Sequence, residues 1–327
     1  MKKLIPELTP DQLFDEVSLE FPRRLHIEPT NACNLNCSMC PRSISHRNVG
    51  YMNFRIFKKI IDECKNYRQM RTIDLQKDGE PLLHPELFDF IKYAKAANVC
   101  EVLRFGTNGV LLSSDVSQKL IDLGLDMITI SLDGATAATY EKIRRNSDYE
   151  KVKNNILGLM EAKRKSASNK PHVRVQMIDI EQTRGEQGEF FKQWEGKVDE
   201  VKIQQYMSWQ GHFLSEAQKK ICKTKDRFPC VMLWQQLVFN WDGTVSICPI
   251  DFCLKGKVGD INTQSIKQIW DSDKMQRYRI DHLEAIYRLI PCRDCDDWKC
   301  IKAGEGMWTV QRKKKFIAYS KQILKQS

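Results

Sequence analysis

Between residues 24 and 206 the chain alternates short β-forming runs with longer stretches in which apolar residues recur at helical spacing. The β-forming runs are RLHIEP (24–29), RTIDLQ (71–76), EVLRFGT (101–107), DMITISLD (126–133), HVRVQMID (172–179) and EVKIQQY (200–206). Between them the periodicity predicts helices near 54–66, 85–97, 115–123, 149–164 and 187–196. Strands separated by helices in this way predict an α/β fold of parallel βα units, in which the loops after the strands carry the chemistry. Turn residues fall where such loops need them: KDGEP after the second strand, TNG after the third and LDG after the fourth. All of them should converge on one rim.

The pattern changes after residue 206. VMLWQQLVFNWDGTVSICP reads as a hairpin turning at Asp242-Gly243, because apolar and aromatic β-formers flank a pair that tolerates positive φ. SIKQIWDSDKMQRYRIDHLEAIYRLI reads as mostly helical, and the cysteine-rich PCRDCDDWKC and a basic amphipathic tail follow. The expected organisation is an N-terminal extension (1–23), a domain of βα units (24–206), a connector (207–228), a small second domain (229–303) and a C-terminal helix (304–327).

A chain of 327 residues can bury a large core without disulfides. No apolar run approaches the ~20 residues needed to cross a bilayer, and MKKLIPELTPDQLFDEV is broken by proline and acids before a signal-peptide core can form. A cytoplasmic chain with no membrane partner is expected. The net charge of +10 is dispersed or held in short pieces such as EAKRKSASNK and QRKKKF. No nucleic-acid motif accompanies it, so a solvated basic surface and no nucleic-acid partner are expected.

Twelve cysteines in a reducing compartment argue for metal ligation over disulfides. They bunch: Cys33, Cys37 and Cys40 near the front, and Cys230, Cys248, Cys253, Cys292, Cys295 and Cys300 at the back. Cys64, Cys100 and Cys222 stand alone and read as small buried apolar residues. The front spacing, C-x3-C-x2-C, could also place three buried residues on one helix face. The interleaved Asn31, Asn34 and Asn36 and the following Pro41 make the segment a loop instead. With no fourth cysteine or histidine within residues 28–43, three thiolates do not close a structural zinc site but suit a 4Fe-4S cluster with one iron open.

In position and motif this stretch resembles the radical S-adenosylmethionine (SAM) superfamily, over roughly residues 24–206. The resemblance implies a partial (β/α)6 TIM-like barrel and a 4Fe-4S cluster on Cys33, Cys37 and Cys40 with an open site for SAM. It also implies that Gly79, Glu80 and Pro81 of DGEPLL meet the methionyl amino group, and that Thr107, Asn108, Ser131 and Asp133 of TNG and SLDG line the ribose and carboxylate side. Arg144 or Arg145 is a further candidate for the carboxylate. Met39 stands where the family often has an aromatic and would pack on adenine. The implied reaction is reductive cleavage of SAM to a 5′-deoxyadenosyl radical that abstracts hydrogen from a substrate, with the electron drawn from a partner such as flavodoxin or ferredoxin.

The back group is spaced Cys230-x17-Cys248, then a long gap, then Cys292-x2-Cys295. Spacing alone fits a zinc ribbon as well as a cluster. WDGTVSICPID and KVGDINTQSIKQIWDS, however, resemble the SPASM and twitch extensions that follow radical SAM barrels. That resemblance implies a small α+β iron–sulfur domain. It also implies one auxiliary 4Fe-4S cluster on Cys230, Cys248, Cys292 and Cys295, in the arrangement of 2-deoxy-scyllo-inosamine dehydrogenase-like members. Cys253 and Cys300 are left as alternative ligands, buried thiols or remnants of a second cluster.

The expected function is a radical SAM oxidoreductase that dehydrogenates a small hydroxylated substrate of sugar or aminocyclitol type. A peptide- or protein-modifying maturase and an epimerase are the alternatives. Asp251, Lys77 and Tyr206 are candidate catalytic groups. His26, Gln76, Arg104, Gln176, Gln204 and Trp209 are further candidates for the pocket.

Overall fold

The computed structural model describes residues 17–67, 69–209, 227–300 and 307–326, without the side chains of residues 299, 300 and 326. Six strands joined by helices come first. They are β1 (Arg24–Ile27), β2 (Met70–Asp74), β3 (Cys100–Thr107), β4 (Met127–Ser131), β5 (His172–Asp179) and β6 (Glu200–Gln205). The helices between them are α1 (Phe54–Cys64), α2 (Leu87–Ala97), α3 (Ser114–Asp122), α4 (Ala137–Ile143), α5 (Tyr149–Lys165), α6 (Glu181–Arg184) and α7 (Gln187–Trp194). All six strands run parallel in the order β6-β5-β4-β3-β2-β1, the layout of a partial TIM-like barrel.

The two-residue period of the strands explains which side faces the helices. Leu25, Ile73 and Leu103 lie in register on neighbouring strands and join one apolar core with Phe57, Ile60, Phe90 and Ile91 of α1 and α2. The alternate row, His26, Asp74 and Arg104, is polar and lies on the opposite face. Side-chain caps start most of these helices: Asn53 accepts from Arg55 N, Ser113 from Val116 N, Thr136 from Thr139 N and Asp148 from Lys151 N.

The segment from residue 229 continues the same sheet. β7 (Gln236–Phe239) pairs in parallel with β1, and β8 (Thr244–Ser246) and β9 (Lys257–Asp260) follow antiparallel, completing a nine-stranded sheet. The hairpin turns at Asp242-Gly243 as expected. Gly243 has φ +91°, and a Cβ there would stand 2.2 Å from the Asn262 amide. Val231–Trp234, expected as strand, is instead a 3-10 helix. Val231, Leu233 and Trp234 are all buried, so this run lacks the one-sided alternation of a strand. β9 has no counterpart among the expected strands: four residues including Gly259 carry little strand signal, and pairing with β8 decides their conformation.

α8 (Ile266–Asp271) and α9 (Asp273–Leu283) cover this end, and α10 (Val310–Gln326) packs on α9. The rear elements dock onto the barrel through α1: Lys59 Nζ donates to Gln264 O at 2.9 Å, and the Ile266 N–H donates to Glu63 Oε2 at 2.6 Å. Most of the expected connector, Cys222 and most of the N-terminal extension lie outside the described residues. Among those described, no helix is long and apolar enough to cross a membrane.

Candidate functional site

The loop after β1 is tied at its base before it reaches the cysteines. Thr30 Oγ1 donates to Gly50 O (2.6 Å), and Asn31 bonds Asn48 O and Gly50 N (2.9 Å each). Further along, the Ser38 N–H donates to Ile143 O at 2.9 Å, pinning the loop to the end of α4, and Pro41 opens a short 3-10 helix. Cys33, Cys37 and Cys40 thus line one cavity of about 190 Å³, with Met39, Gln76, Lys77, Asp78, Gly79, Glu80, Thr107, Asn108, Ser131, Arg144 and Trp209 also in its wall.

The loops after β2 and β3 are held together by one carboxylate. Glu80 is buried and accepts from Leu82 N (3.1 Å), Thr107 Oγ1 (2.8 Å) and Asn108 N (2.7 Å). Burial pushes its carboxyl above the ordinary range, although these donors oppose the shift. Asn108 reaches across to Asn34 Oδ1 at 2.8 Å and lies 3.9 Å from Cys33 Sγ. Gly79 is a steric requirement: the loop after β1 leaves no room for a Cβ, which would meet Thr30 O at 2.2 Å and Ala32 O at 2.6 Å.

Two expected SAM contacts sit elsewhere. Asp133 is buried outside this cavity; it accepts from Arg144 Nε and Ile178 N (2.7 Å each) and so fixes the arginine that does line it. Pro81 is buried at the start of a 3-10 turn. Of the candidate catalytic groups, Lys77 lines the cavity with its ammonium buried, donating to Asp78 Oδ2 (2.8 Å) and Asp251 O (3.2 Å). Asp251 is fully buried, not a solvated or cavity-lining hairpin end; its carboxylate accepts from Lys255 N and Gly256 N, and burial raises its pKa. Tyr206 is buried outside the cavity, and burial, Asp297 and Cys40 raise its hydroxyl pKa. Arg104 is ion-paired with Asp74 on the barrel strands, His26 stands 4.0 Å from the same carboxylate with burial holding its pKa below the ordinary value, and neither lines the cavity.

Asp78 was not singled out by sequence reasoning, although it opens the DGEP motif. Its Oδ2 accepts from Lys77 and from Arg47 Nη1 (2.8 Å each), and Arg47 also pairs with the buried Glu28. Its Oδ1 is buried and has no partner.

A second cavity is lined by Cys230, Cys248, Cys292 and Cys295, together with Arg227, Met232, Leu233, Ile247, His282, Pro291 and Trp298. Burial, then the neighbouring Cys295 and Cys230 thiols, lift the Cys248 pKa well above its ordinary value. Burial likewise pushes Cys230 up to about 11 and Cys295 up to about 12, and in the front cavity pushes Cys40 up to about 11. Thiols this costly to ionise alone fit a metal-bearing group that supplies the compensating positive charge. Cys253 is half-buried and lines neither cavity; the side chain of Cys300 is outside the described set.

The chemistry of the donor sets distinguishes between the implied groups. The front cavity brings three thiols together and the rear one four. Three thiols without a fourth in the front cavity, and four in the rear one, fit an open and a closed cluster respectively.

Comparison with known proteins agrees. The sequence profile of the radical SAM superfamily matches residues 27–174, and that of the SPASM iron–sulfur cluster-binding domain matches residues 230–296. The tungsten-containing aldehyde ferredoxin oxidoreductase cofactor-modifying protein of Pyrococcus furiosus is 28% identical over 158 residues, 47% of this chain and 43% of that protein. The chain spans well under half the length of this and the next curated relatives. Among solved structures, BtrN in complex with AdoMet and 2-DOIA superposes with TM-score 0.60 at 19% identity, covering 84% of this chain and 93% of that one. Streptococcus suis SuiB bound to precursor peptide SuiA gives TM-score 0.61 at 12% identity over 80% of this chain and 67% of that one. At these identities the structural likeness concerns the fold. Residues 27–174 thus form a radical SAM domain and residues 230–296 a SPASM iron–sulfur cluster-binding domain, with S-adenosylmethionine and 4Fe-4S clusters as the cofactors that go with them.

Proposed function

We propose that this protein is an oxidoreductase that takes hydrogen from a small hydroxylated substrate of sugar or aminocyclitol type, by a net two-electron dehydrogenation. The observation that carries this reading is the pairing of an open three-thiol cavity, ringed by the DGEP, TNG and SLDG loops, with a separate four-thiol cavity. When bound, SAM on a three-thiolate 4Fe-4S cluster supplies a one-electron cleavage that yields a 5′-deoxyadenosyl radical.

The chain's own residues do the rest. Cys33, Cys37 and Cys40 would hold the front cluster, and Gly79 lets the DGEP loop lie against the backbone of the cysteine loop. Arg144, fixed by Asp133, would take the carboxylate of SAM, and Ser131, Thr107, Asn108 and Met39, which line the same cavity, would border its nucleoside. Gln76, Lys77, Asp78 and Trp209 remain for the substrate. A buried oxygen without a donor is costly, and Asp78 Oδ1 offers that acceptor to a substrate hydroxyl. Oxidation of a carbinol to a carbonyl removes a hydrogen atom, a proton and an electron. Asp78 Oδ1 would accept the proton, and Cys230, Cys248, Cys292 and Cys295 would hold the group that supplies the electron acceptor.

The test is anaerobic reconstitution with SAM and dithionite, followed by trials of polyols deuterated at the carbinol carbon. Deuterium should appear in 5′-deoxyadenosine, and Asp78→Asn should lose ketone formation while retaining SAM cleavage. Transfer from a peptide and from no polyol would overturn this reading and favour a peptide substrate, the reading to which the SuiB likeness points.

A further inference from the structure

The four rear thiols share their cavity with two donors that the protein leaves without acceptors. His282 is fully buried and forms part of the cavity wall. Its Nδ1 accepts the backbone N–H of Cys230 at 3.1 Å, so the proton of the neutral ring sits on Nε2. That Nε2 is buried and has no partner. Arg227 lines the same cavity. Its Nη2 donates to Cys292 O at 2.7 Å and its guanidinium lies over the Tyr287 ring, 4.2 Å from the centroid, which fixes the group. The Arg227 Nε is buried and equally without a partner.

Buried donors are almost always paired, so two orphans in one thiol-lined cavity mark a place built for an acceptor-rich, negatively charged group. A cluster held by four thiolates is such a group, and it gains a further negative charge on reduction. Donors directed at its sulfurs stabilise the reduced form more than the oxidised one. We infer that His282 and Arg227 are positioning residues of the rear cluster, which donate hydrogen bonds to its sulfurs through His282 Nε2 and Arg227 Nε and raise its reduction potential. The inference rests on the rear-cluster reading above. It makes the rear cluster easier to reduce than it would be without these donors, and so suits it to collect the electron released by the substrate.

The experiment uses the full chain with Cys33, Cys37 and Cys40 replaced by alanine, so that only the rear cluster is present, and follows its reduced signal by EPR during a redox titration. His282→Leu should keep about four irons per chain. At the potential where the parent is half reduced, its reduced-to-oxidised ratio should fall about tenfold, a displacement of about 59 mV for one electron. Arg227→Met should shift the midpoint in the same direction. His282→Gln, whose amide can both accept from Cys230 N–H and donate, should recover most of the loss. Midpoints unchanged with iron intact would overturn the inference, as would a leucine shift that glutamine does not reduce. Should the variants lose their iron, the parent chain labelled with 15N-histidine decides: pulsed EPR of the reduced cluster should show a histidine nitrogen coupling, and its absence would overturn the inference. Absence of iron from the parent would instead defeat the rear-cluster reading itself.

Discussion

Gly79→Ala is the sharpest perturbation of the front site, because the obstacle it meets is backbone. A Cβ there would lie 2.2 Å from Thr30 O, 2.6 Å from Ala32 O and 2.8 Å from Asn31 Cα. Widening the first contact to 3.0 Å, below which real Cβ atoms are essentially never found, requires a displacement of about 0.8 Å (3.0 minus 2.2). The displaced stretch of loop is the one that leads directly into Cys33, and Glu80 N is bonded to Ala32 O at 2.8 Å. Overpacking costs about 1–3 kcal/mol and the strained hydrogen bond about 1 kcal/mol, so roughly 2–4 kcal/mol is expected in total. A loop shifted by nearly an ångström also misplaces the thiols; such errors can lower rates ~10²-fold. The assay is thermal unfolding of the cluster-free chain, paired with iron content and 5′-deoxyadenosine yield after anaerobic reconstitution. Gly79→Ala should melt several degrees lower, load the front cluster poorly and cleave little SAM. Unaltered melting with full SAM cleavage would refute the steric coupling of the two loops.

Other predictions test the frame around the site. Arg47→Met should destabilise the fold by about 3–5 kcal/mol, since it strands the buried carboxylate of Glu28 and leaves Asp78 with Lys77 alone; chemical denaturation at neutral pH measures it. Burial opposes the shift at Asp126, but Lys170, the Leu103 N–H and Lys95 hold its carboxyl below the ordinary range. Its folded pKa lies below the unfolded value of about 3.9, so its contribution is present above that pH and is lost as pH falls through the folded value. Asp126→Asn should therefore lower the urea midpoint at pH 7, with the gap to the parent closing below about pH 4. Gly158 lies exposed within α5, and a Cβ added there would meet nothing within 4 Å, so Gly158→Ala should raise stability by about 0.5–1 kcal/mol, read as a higher urea midpoint.

How much of this was legible beforehand depended on whether the signal was local. The strands could be read because Leu25 and Ile27 alternate with Arg24 and His26, and the front cysteines because Asn and Pro around them exclude a helix. Asp133 shows where that reasoning ends. Its motif puts it in the correct loop, but only the fold reveals that its carboxylate holds Arg144 and the Ile178 N–H. His282 and Arg227 carried no motif at all, being drawn to the rear thiols from a helix and a loop more than fifty residues apart. The unpartnered oxygen of Asp78 was equally hidden, since it follows from Arg47 and Lys77 both choosing the other oxygen.

The central claim is that one chain holds an open cluster for SAM and a closed one behind it. It is tested most directly by anaerobic reconstitution of the parent and of the Cys37→Ala and Cys292→Ala variants, with iron and 5′-deoxyadenosine measured on the same samples. The account predicts about eight irons in the parent and about four in each variant, with SAM cleavage abolished in Cys37→Ala and retained in part by Cys292→Ala. About four irons in the parent, or undiminished SAM cleavage by Cys37→Ala, would contradict it.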